Sequence, residues 1–509
     1  MRNSPLTASI HILDDDSLLN VFHLYRPFLL GEDDEDEFDR ITGGNNRWDS
    51  GRWWYKLAHV CQRWRNIVLG SAAYLDVSLV CTKGTPVADM LANSPPLPLL
   101  IDYIPNDEIT AEDEEGAILA LKQYDRVRRV RLILPPTSLQ KLIPTMDEEY
   151  PILEHLIIYH ALEDKTAILT FPETLQALHL RHLALESFAL PIGSRLLTTA
   201  VDLVALCLIM DNQSTYFHPN TLLRWLSFMP HLETLVISFH FPVCSRHVGG
   251  QFTHMAITTL VTLPNLRLFS FKGVTPYLEA LLYRISAPRV ERLEIKFFNH
   301  LTFFVPRLLH FLGTAENLRF KTVEFWFSDK KVDVRVYPHE EADTYALIII
   351  VDCCHLDWQV SSTAQIFNAL SPVLSAVERL TFEHEVHSQS SKEHNEVDTT
   401  EWRKLLSSFR NVKTLRIDEG LVEELSRCLE LDDGGLPLEL LSELQELTYF
   451  GRGDTGDAFT SFVEARQVVG RSITVLRRTP SPDPSSLSPS PGSFSIIPAS
   501  GEAGNDHNT

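Results

Sequence analysis

The sequence predicts an α/β protein: a helical N-terminal module followed by an irregular α/β solenoid with a parallel, concave sheet. Two observations carry this. A short pattern, apolar-x-x-apolar-x-apolar, recurs through most of the chain, and two tryptophan-rich stripes at helical spacing precede it.

The pattern reads Val127-Val130-Leu132, Leu153-Leu156-Ile158, Leu175-Leu178-Leu180 and Leu203-Leu206-Leu208. It continues as Leu232-Leu235-Ile237, Leu266-Phe269-Phe271, Val290-Leu293-Ile295 and Phe320-Val323-Phe325. It ends with Tyr345-Ile348-Ile350, Val377-Leu380-Phe382, Val412-Leu415-Ile417 and Leu444-Leu447-Tyr449. Steps between starts run from 22 residues (Leu153 to Leu175) to 35 (Val377 to Val412). Alternation at period 2 aims the apolar members of each strand inward together. Helix-like stretches such as Thr221 to Met229 and Tyr277 to Ile285 lie between, and Pro151, Pro230, Pro264 and Pro288 stop the preceding helix.

A strand and a helix in each such unit is a leucine-rich-repeat signature, with strands stacked side by side. The Asn or Cys expected three residues past the last leucine is replaced by Leu183, His240, Val274, Phe298 and Glu385. Without that polar ladder an irregular, variably curved array is expected. A doubly wound α/β fold is the structural alternative.

In the first stripe, Asp14 to Asp16 offer N-caps ahead of Leu18, Leu19, Val21, Phe22 and Tyr25. In the second, Trp54, Leu57, Cys61, Trp64 and Val68 share a helical face, and Gly70 ends it. Between them, from about residue 26 to 52, a polar insertion carries the acidic run Glu32 to Glu37 and reads as a loop; Glu112 to Glu115 is read as another solvated run. Two short helices cannot bury so many aromatics alone, so a third partner is required. The organisation is then a helical module over residues 1–80, a connecting segment 81–121, the solenoid 122–477, and a Pro/Ser-rich tail 478–509 expected to be disordered. In the tail Thr479, Ser481, Ser488 and Ser490 each precede proline and are candidate phosphorylation sites.

A net charge of −22 argues against nucleic acid as partner, since phosphate contacts need clustered Lys and Arg. No apolar run approaches the roughly 20 residues of a membrane span; the best, Ala346 to Val351, reads as a buried strand. The opening residues lack the pattern of a secretion signal, and seven cysteines without a CxxC describe no disulfide framework. A reducing compartment, cytoplasmic or nuclear, is expected.

Leu13-Asp14-Asp15-Asp16-Ser17-Leu18-Leu19 with Val21-Phe22 resembles the opening of an F-box, and Trp54 to Val68, containing Val60-Cys61-Gln62-Arg63-Trp64, resembles its closing helix. Asp14 stands where that family usually has proline, and the insertion separates the two halves. Leu79 to Val87 and Ala458 to Ile473 also look like a large fungal group of such proteins. The resemblance implies a three-helix F-box on a Skp-family linker, and so a substrate-recruiting adaptor of a cullin-RING (SCF-type) ubiquitin ligase. Carried over, the linker-facing residues are Leu13, Leu18, Leu19, Phe22, Leu57, Val60, Cys61 and Trp64. The repeats then hold an unknown protein substrate, with concave-face candidates His179, Arg181, Glu294, Lys296, Glu324, Trp326, Glu383, Arg416 and Asp418. The chemistry belongs to other subunits, so no catalytic residue, metal or cofactor is expected in this chain.

Two motifs imitate chemistry. Gly451 to Gly456 matches GxGxxG, but the strand that should carry an acidic residue about 20 positions later, Ser472 to Leu476, has none. His384 and His387 are one residue short of the HExxH zinc spacing. The rival functions are an F-box scaffold that directs no degradation and, more distantly, a parallel-solenoid enzyme.

Overall fold

The computed structural model describes residues 13–26, 52–104, 109–160, 169–241, 260–298, 302–339, 342, 344–384, 397–430, 439–450 and 458–478. Over these the protein is α/β, with fourteen α-helices and one sheet of sixteen strands. In chain order the sheet strands are β1 (Leu79–Cys81), β2 (Leu99–Tyr103), β3 (Val127–Leu134), β4 (His155–His160), β5 (His182–Glu186) and β6 (Ala205–Met210). Next come β7 (Thr234–Phe239), β8 (Leu268–Gly273), β9 (Arg292–Phe297), β10 (Thr322–Phe327), β11 (Lys331–Tyr337) and β12 (Leu347–Asp352). The last four are β13 (Arg379–His384), β14 (Thr414–Ile417), β15 (Glu446–Phe450) and β16 (Thr474–Arg478).

From β1 to β9 the strands lie side by side in chain order, all parallel. Right-handed crossovers in an unbroken order put every connecting helix on one face. That face holds one continuous apolar core, to which each strand gives alternate residues such as Leu156 and Ile158, Leu235 and Ile237, Leu415 and Ile417. Among the described residues the other face of the sheet carries no such layer of helices and is called the open face below.

The sheet departs from a purely parallel array at one place. After β9 the chain skips two positions to form β10, doubles back as β11, and returns as β12 beside β9. β11 runs antiparallel to both neighbours, and the parallel order resumes where β10 pairs with β13. The sheet also begins earlier than expected. Residues 81–121, read as a connector, contribute part of β1, all of β2 and the helix Ala111–Leu121. Glu112 to Glu115 are the first turn of that helix and not a loop. Thr110 and Asp113 cap one another's backbone amides there, and acidic groups suit a helix N-terminus.

Two repeats are phased differently from the sequence reading. Leu178 is 38% exposed, and the strand is built on the overlapping set Leu180-Leu183-Leu185. In β12 the core residues are Leu347, Ile349 and Val351, while Ile348 and Ile350 lie on the open face, a slip of one residue that exchanges faces. A polar ladder does exist, at another position. Asn265, Asn317 and Asn411 donate to the carbonyls of Pro230, Arg289 and Ser375, each just ahead of an earlier strand.

The helical module is α1 (Asp15–Tyr25), α2 (Trp53–Ala58) and α3 (Gln62–Gly70). Asp14 caps α1 through the amide of Ser17. The stripe read as a single closing helix breaks at His59–Cys61, where Cys61 is extended (φ −161°). Three contacts bind the module to the sheet. Trp54 donates to the Ser78 carbonyl at 3.0 Å. Asp76, in the left-handed region at φ 54°, accepts from Arg26 at the end of α1 and from Arg128 on β3. Burial would raise the Asp76 carboxyl, but the Arg128 hydrogen bond and the charges of Arg128, Arg26 and Arg129 hold it below its ordinary range.

On the open face, Arg131 and Asp102 form a bidentate ion pair at 2.7 and 2.8 Å with the guanidinium 2% exposed. Removing one member of a buried pair strands the other, at a cost of about 3–5 kcal/mol. Arg131→Met should therefore lower unfolding free energy by about that amount in urea titration, and Asp102→Leu in the same chain should restore most of it. Equal stability of the single and double variants would show that the pair is not what holds β2 to β3.

Candidate protein-interaction surfaces

The eight residues assigned to linker docking fall into three groups. Leu18, Phe22 and Leu57 are buried within the chain, with Trp64 packed on Phe22 at 4.8 Å, so they hold the module together and are closed to a partner. The reason is geometric: α1 and α3 lie side by side and use the Leu18–Phe22 face against each other. Leu19, Cys61 and Trp64 are half-buried, and Leu19 lines a cleft of about 570 Å³ between α1 and α3 with Asp15, Asp16, Arg63 and Ile67. Leu13 (39%) and Val60 (58%) are exposed. They lie at the same end of the module, because Arg63 near the start of α3 donates to the Leu13 carbonyl and to Asp15. Val21, Leu24 and Tyr25, at i, i+3 and i+4 on α1, are further exposed apolar side chains of the module. The sequence places Val21 and Tyr25 in the apolar stripe of the first helix, which two short helices alone cannot bury.

The sheet candidates divide by repeat phase. Glu294 and Lys296 lie on the open face of β9, Glu324 and Trp326 on that of β10, Glu383 on β13 and Arg416 on β14, with Asp418 just beyond. The hairpin inserted in the sheet brings Asp333 and Arg335 of β11 among them. Trp326 pairs across strands with Asp333 on one side and Glu383 on the other, and the Arg335 guanidinium lies 5.6 Å from its ring centre. Arg416 reaches Glu383 at 3.9 Å and lies over Phe450 at 4.9 Å. Burial holds the Glu383 carboxyl above its ordinary range in spite of Arg416. Lys296 pairs with Asp352 at 3.1 Å, and Tyr345 donates to Glu294 at 2.7 Å. Trp326, 39% exposed, is thus a partly open aromatic amid mixed charge.

His179 and Arg181 are not strand residues of the open face. Because that repeat is phased on Leu180, they precede β5, and His179 is a surface group beside Asp202 at 3.2 Å. Arg181 stands at the strand entry, next to residues that the sequence reading missed. The register aligns Arg129 of β3, His155 of β4 and His182 of β5 in one row. The two imidazoles stack at 4.3 Å, 6° from parallel, each with a buried Nδ1 that has no hydrogen-bond partner. Burial, then the Arg129 charge, pushes His155 down to about 2. Burial, then the Arg181 charge, pushes His182 down to about 4, with Glu154 opposing. Both are neutral in the fold at neutral pH.

Among the described residues no group of His, Cys, Asp or Glu is placed to hold a metal ion, and no helix is long and apolar enough to cross a membrane. The acidic run Glu32 to Glu37, the Gly451–Gly456 motif, His387 and the candidate phosphorylation sites Thr479, Ser481, Ser488 and Ser490 lie outside the described residues. No protein-family model matches the chain, and no curated protein matches it in sequence.

The histidine row predicts an acid-labile fold. A histidine depressed in the folded state contributes stability above its unfolded pKa near 6.5, and loses it as pH falls toward the folded value. Arg128, Arg129 and Arg181 face the pair, with Glu154 the nearby acid. Between neutral pH and about pH 5 each histidine should cost about 2 kcal/mol. His155→Phe with His182→Phe should flatten the difference between urea midpoints measured at those two pH values. An unchanged pH slope would mean that the pair is solvated and titrates normally.

Proposed function

We propose that this chain is a substrate-recruiting adaptor of a cullin-RING ubiquitin ligase, built as an F-box joined to a leucine-rich-repeat-like array. The observation that carries this reading is the set of exposed apolar side chains on a small helical module already tied to the sheet: Leu13, Val21, Leu24, Tyr25 and Val60. Large apolar side chains gathered on one small module favour a protein partner. The Leu13–Phe22 and Val60–Val68 sequences resemble the segments an F-box turns to its Skp-family linker. The open face around Trp326 is the target-reading surface in this account, and the chain itself carries no chemistry. It acts by raising the local concentration of target beside the transferase.

Leu13→Asp with Val60→Asp tests the docking surface. Both positions are exposed, so the thermal midpoint should move little, while co-purification with a Skp-family linker should be lost because a carboxylate cannot be desolvated cheaply in an apolar interface. Undiminished linker capture by the folded double variant would remove the adaptor assignment.

Trp326→Ala with Arg416→Glu tests the reader. Ubiquitylation of bound targets, followed by mass spectrometry, should fall several-fold with linker binding intact, since an aromatic anchor and a charged contact carry a large share of interface energy. Unaltered target marking would move the reader away from β10 and β14.

A further inference from the structure

We propose that the strand-entry row Arg129–His155–His182, with Arg181 beside it, binds a phosphate-class oxyanion. The inference comes from a census of cations. Residues 126–131 carry four arginines, and three have their guanidinium engaged. Arg126 donates to the Leu97 and Pro95 carbonyls, Arg128 holds Asp76 and Glu154, and Arg131 holds Asp102. Arg129 makes no hydrogen bond or ion pair with any described residue, and its Nε is buried without a partner. The Arg181 side chain likewise has no hydrogen bond or ion pair among the described residues. The chain has 67 acidic residues against 45 basic ones, so the half-buried, unpaired guanidinium of Arg129 stands out, with the exposed Arg181 beside the row. Buried polar nitrogens without partners are costly, and their concentration in one row points to a ligand.

Charge and donor geometry select the ligand. Guanidinium groups present paired N–H donors that match a tetrahedral oxyanion. Each imidazole becomes a donor on both nitrogens when it takes up a proton. The nearest acids, Asp76 and Glu154, are paired with Arg128, so an incoming anion adds negative charge directly at the row and should draw protons onto the stacked pair. Binding involves no bond making or breaking. The site stands on its own residues, and under the adaptor reading it gives the open face a second recognition feature, distant from Trp326 along the sheet. The anion is either free in solution or a phosphorylated side chain of a partner protein; the same donors serve both.

Isothermal titration of the full chain with inorganic phosphate, with sulfate, and with a phosphoserine pentapeptide beside its unphosphorylated twin tests the proposal. Saturable binding of phosphate is expected, with Arg129→Gln and Arg181→Gln each weakening it about tenfold. Sulfate, whose charge does not change in this range, should bind more tightly at about pH 6 than at about pH 7.5, and His155→Phe/His182→Phe should abolish that difference. A phosphopeptide bound more tightly than inorganic phosphate assigns the oxyanion to a partner protein; equal or weaker binding assigns it to a free anion. No saturable binding of any probe by the folded wild type, or affinities unchanged in the Arg129→Gln/Arg181→Gln double variant, overturns the site. Linker capture measured on the same variants keeps the two ideas apart, since its loss in the wild type would end the adaptor reading and leave the oxyanion site untouched.

Discussion

Most strand entries are tied to the preceding one by a single backbone carbonyl that accepts two successive amides. The Glu154 carbonyl takes Arg181 and His182, that of Arg181 takes Val204 and Ala205, and that of Val204 takes Glu233 and Thr234. Glu233, Arg267, Lys321, Glu378 and Lys413 repeat the arrangement further on. A carbonyl has two lone pairs, and using both fixes the register of the next strand before its side chains are consulted. Register then decides which residues enter the core and which line up across the open face. A slip of one residue would send Leu235 and Ile237 outward and Val236 inward, so the apolar pattern and the carbonyl ladder must agree.

The ladder is interrupted at β9, and the interruption makes the charged half of the open face. There the Leu293 amide donates to the Ala346 carbonyl, and the β10–β11–β12 hairpins occupy the following places. The alternation of Lys331–Tyr337 puts Val332, Val334 and Val336 into the core, leaving Asp333 and Arg335 to flank Trp326. Phe325 stacks on Phe382 at 5.0 Å, which carries the core from β10 to β13, where the parallel order resumes. The aromatic layer compensates for the change of topology with apolar contact on the helix side, while the open face collects ionic side chains.

These features explain what could be read from sequence. Where a strand offered a single apolar-x-x-apolar-x-apolar set, as at Leu203-Leu206-Leu208, phase and face came out as found. Where two sets overlap, as at Leu175 to Leu185, local pattern cannot choose, and the backbone pairing with β4 and β6 does. In Ala346 to Val351 every position is apolar, so alternation carries no phase information. β11 escaped because hairpin pairing is a tertiary choice that its neighbours enforce. The residues proposed for linker docking form an apolar stripe in the sequence, but a stripe does not say which members meet another helix of the same chain and which meet solvent. His155 and His182 belong to different repeats, and only the register that aligns both with Arg129 makes them a pair.

The same strand that presents Arg129 on the open face also anchors the helical module. Arg128, at the irregular step where β3 pairs with β2, reaches Asp76 and Glu154, and Asp76 in turn holds Arg26 at the end of α1. With burial opposing it, the Asp76 carboxylate depends on both guanidinium groups, so α1 and β3 are joined through one charge. Arg128 also pairs with Glu154, whose charge still acts on His182 beside it. A single ion network therefore does two things: it seats the apolar module on the first strands of the sheet, and it sets the charges of Asp76 and Glu154 beside Arg129.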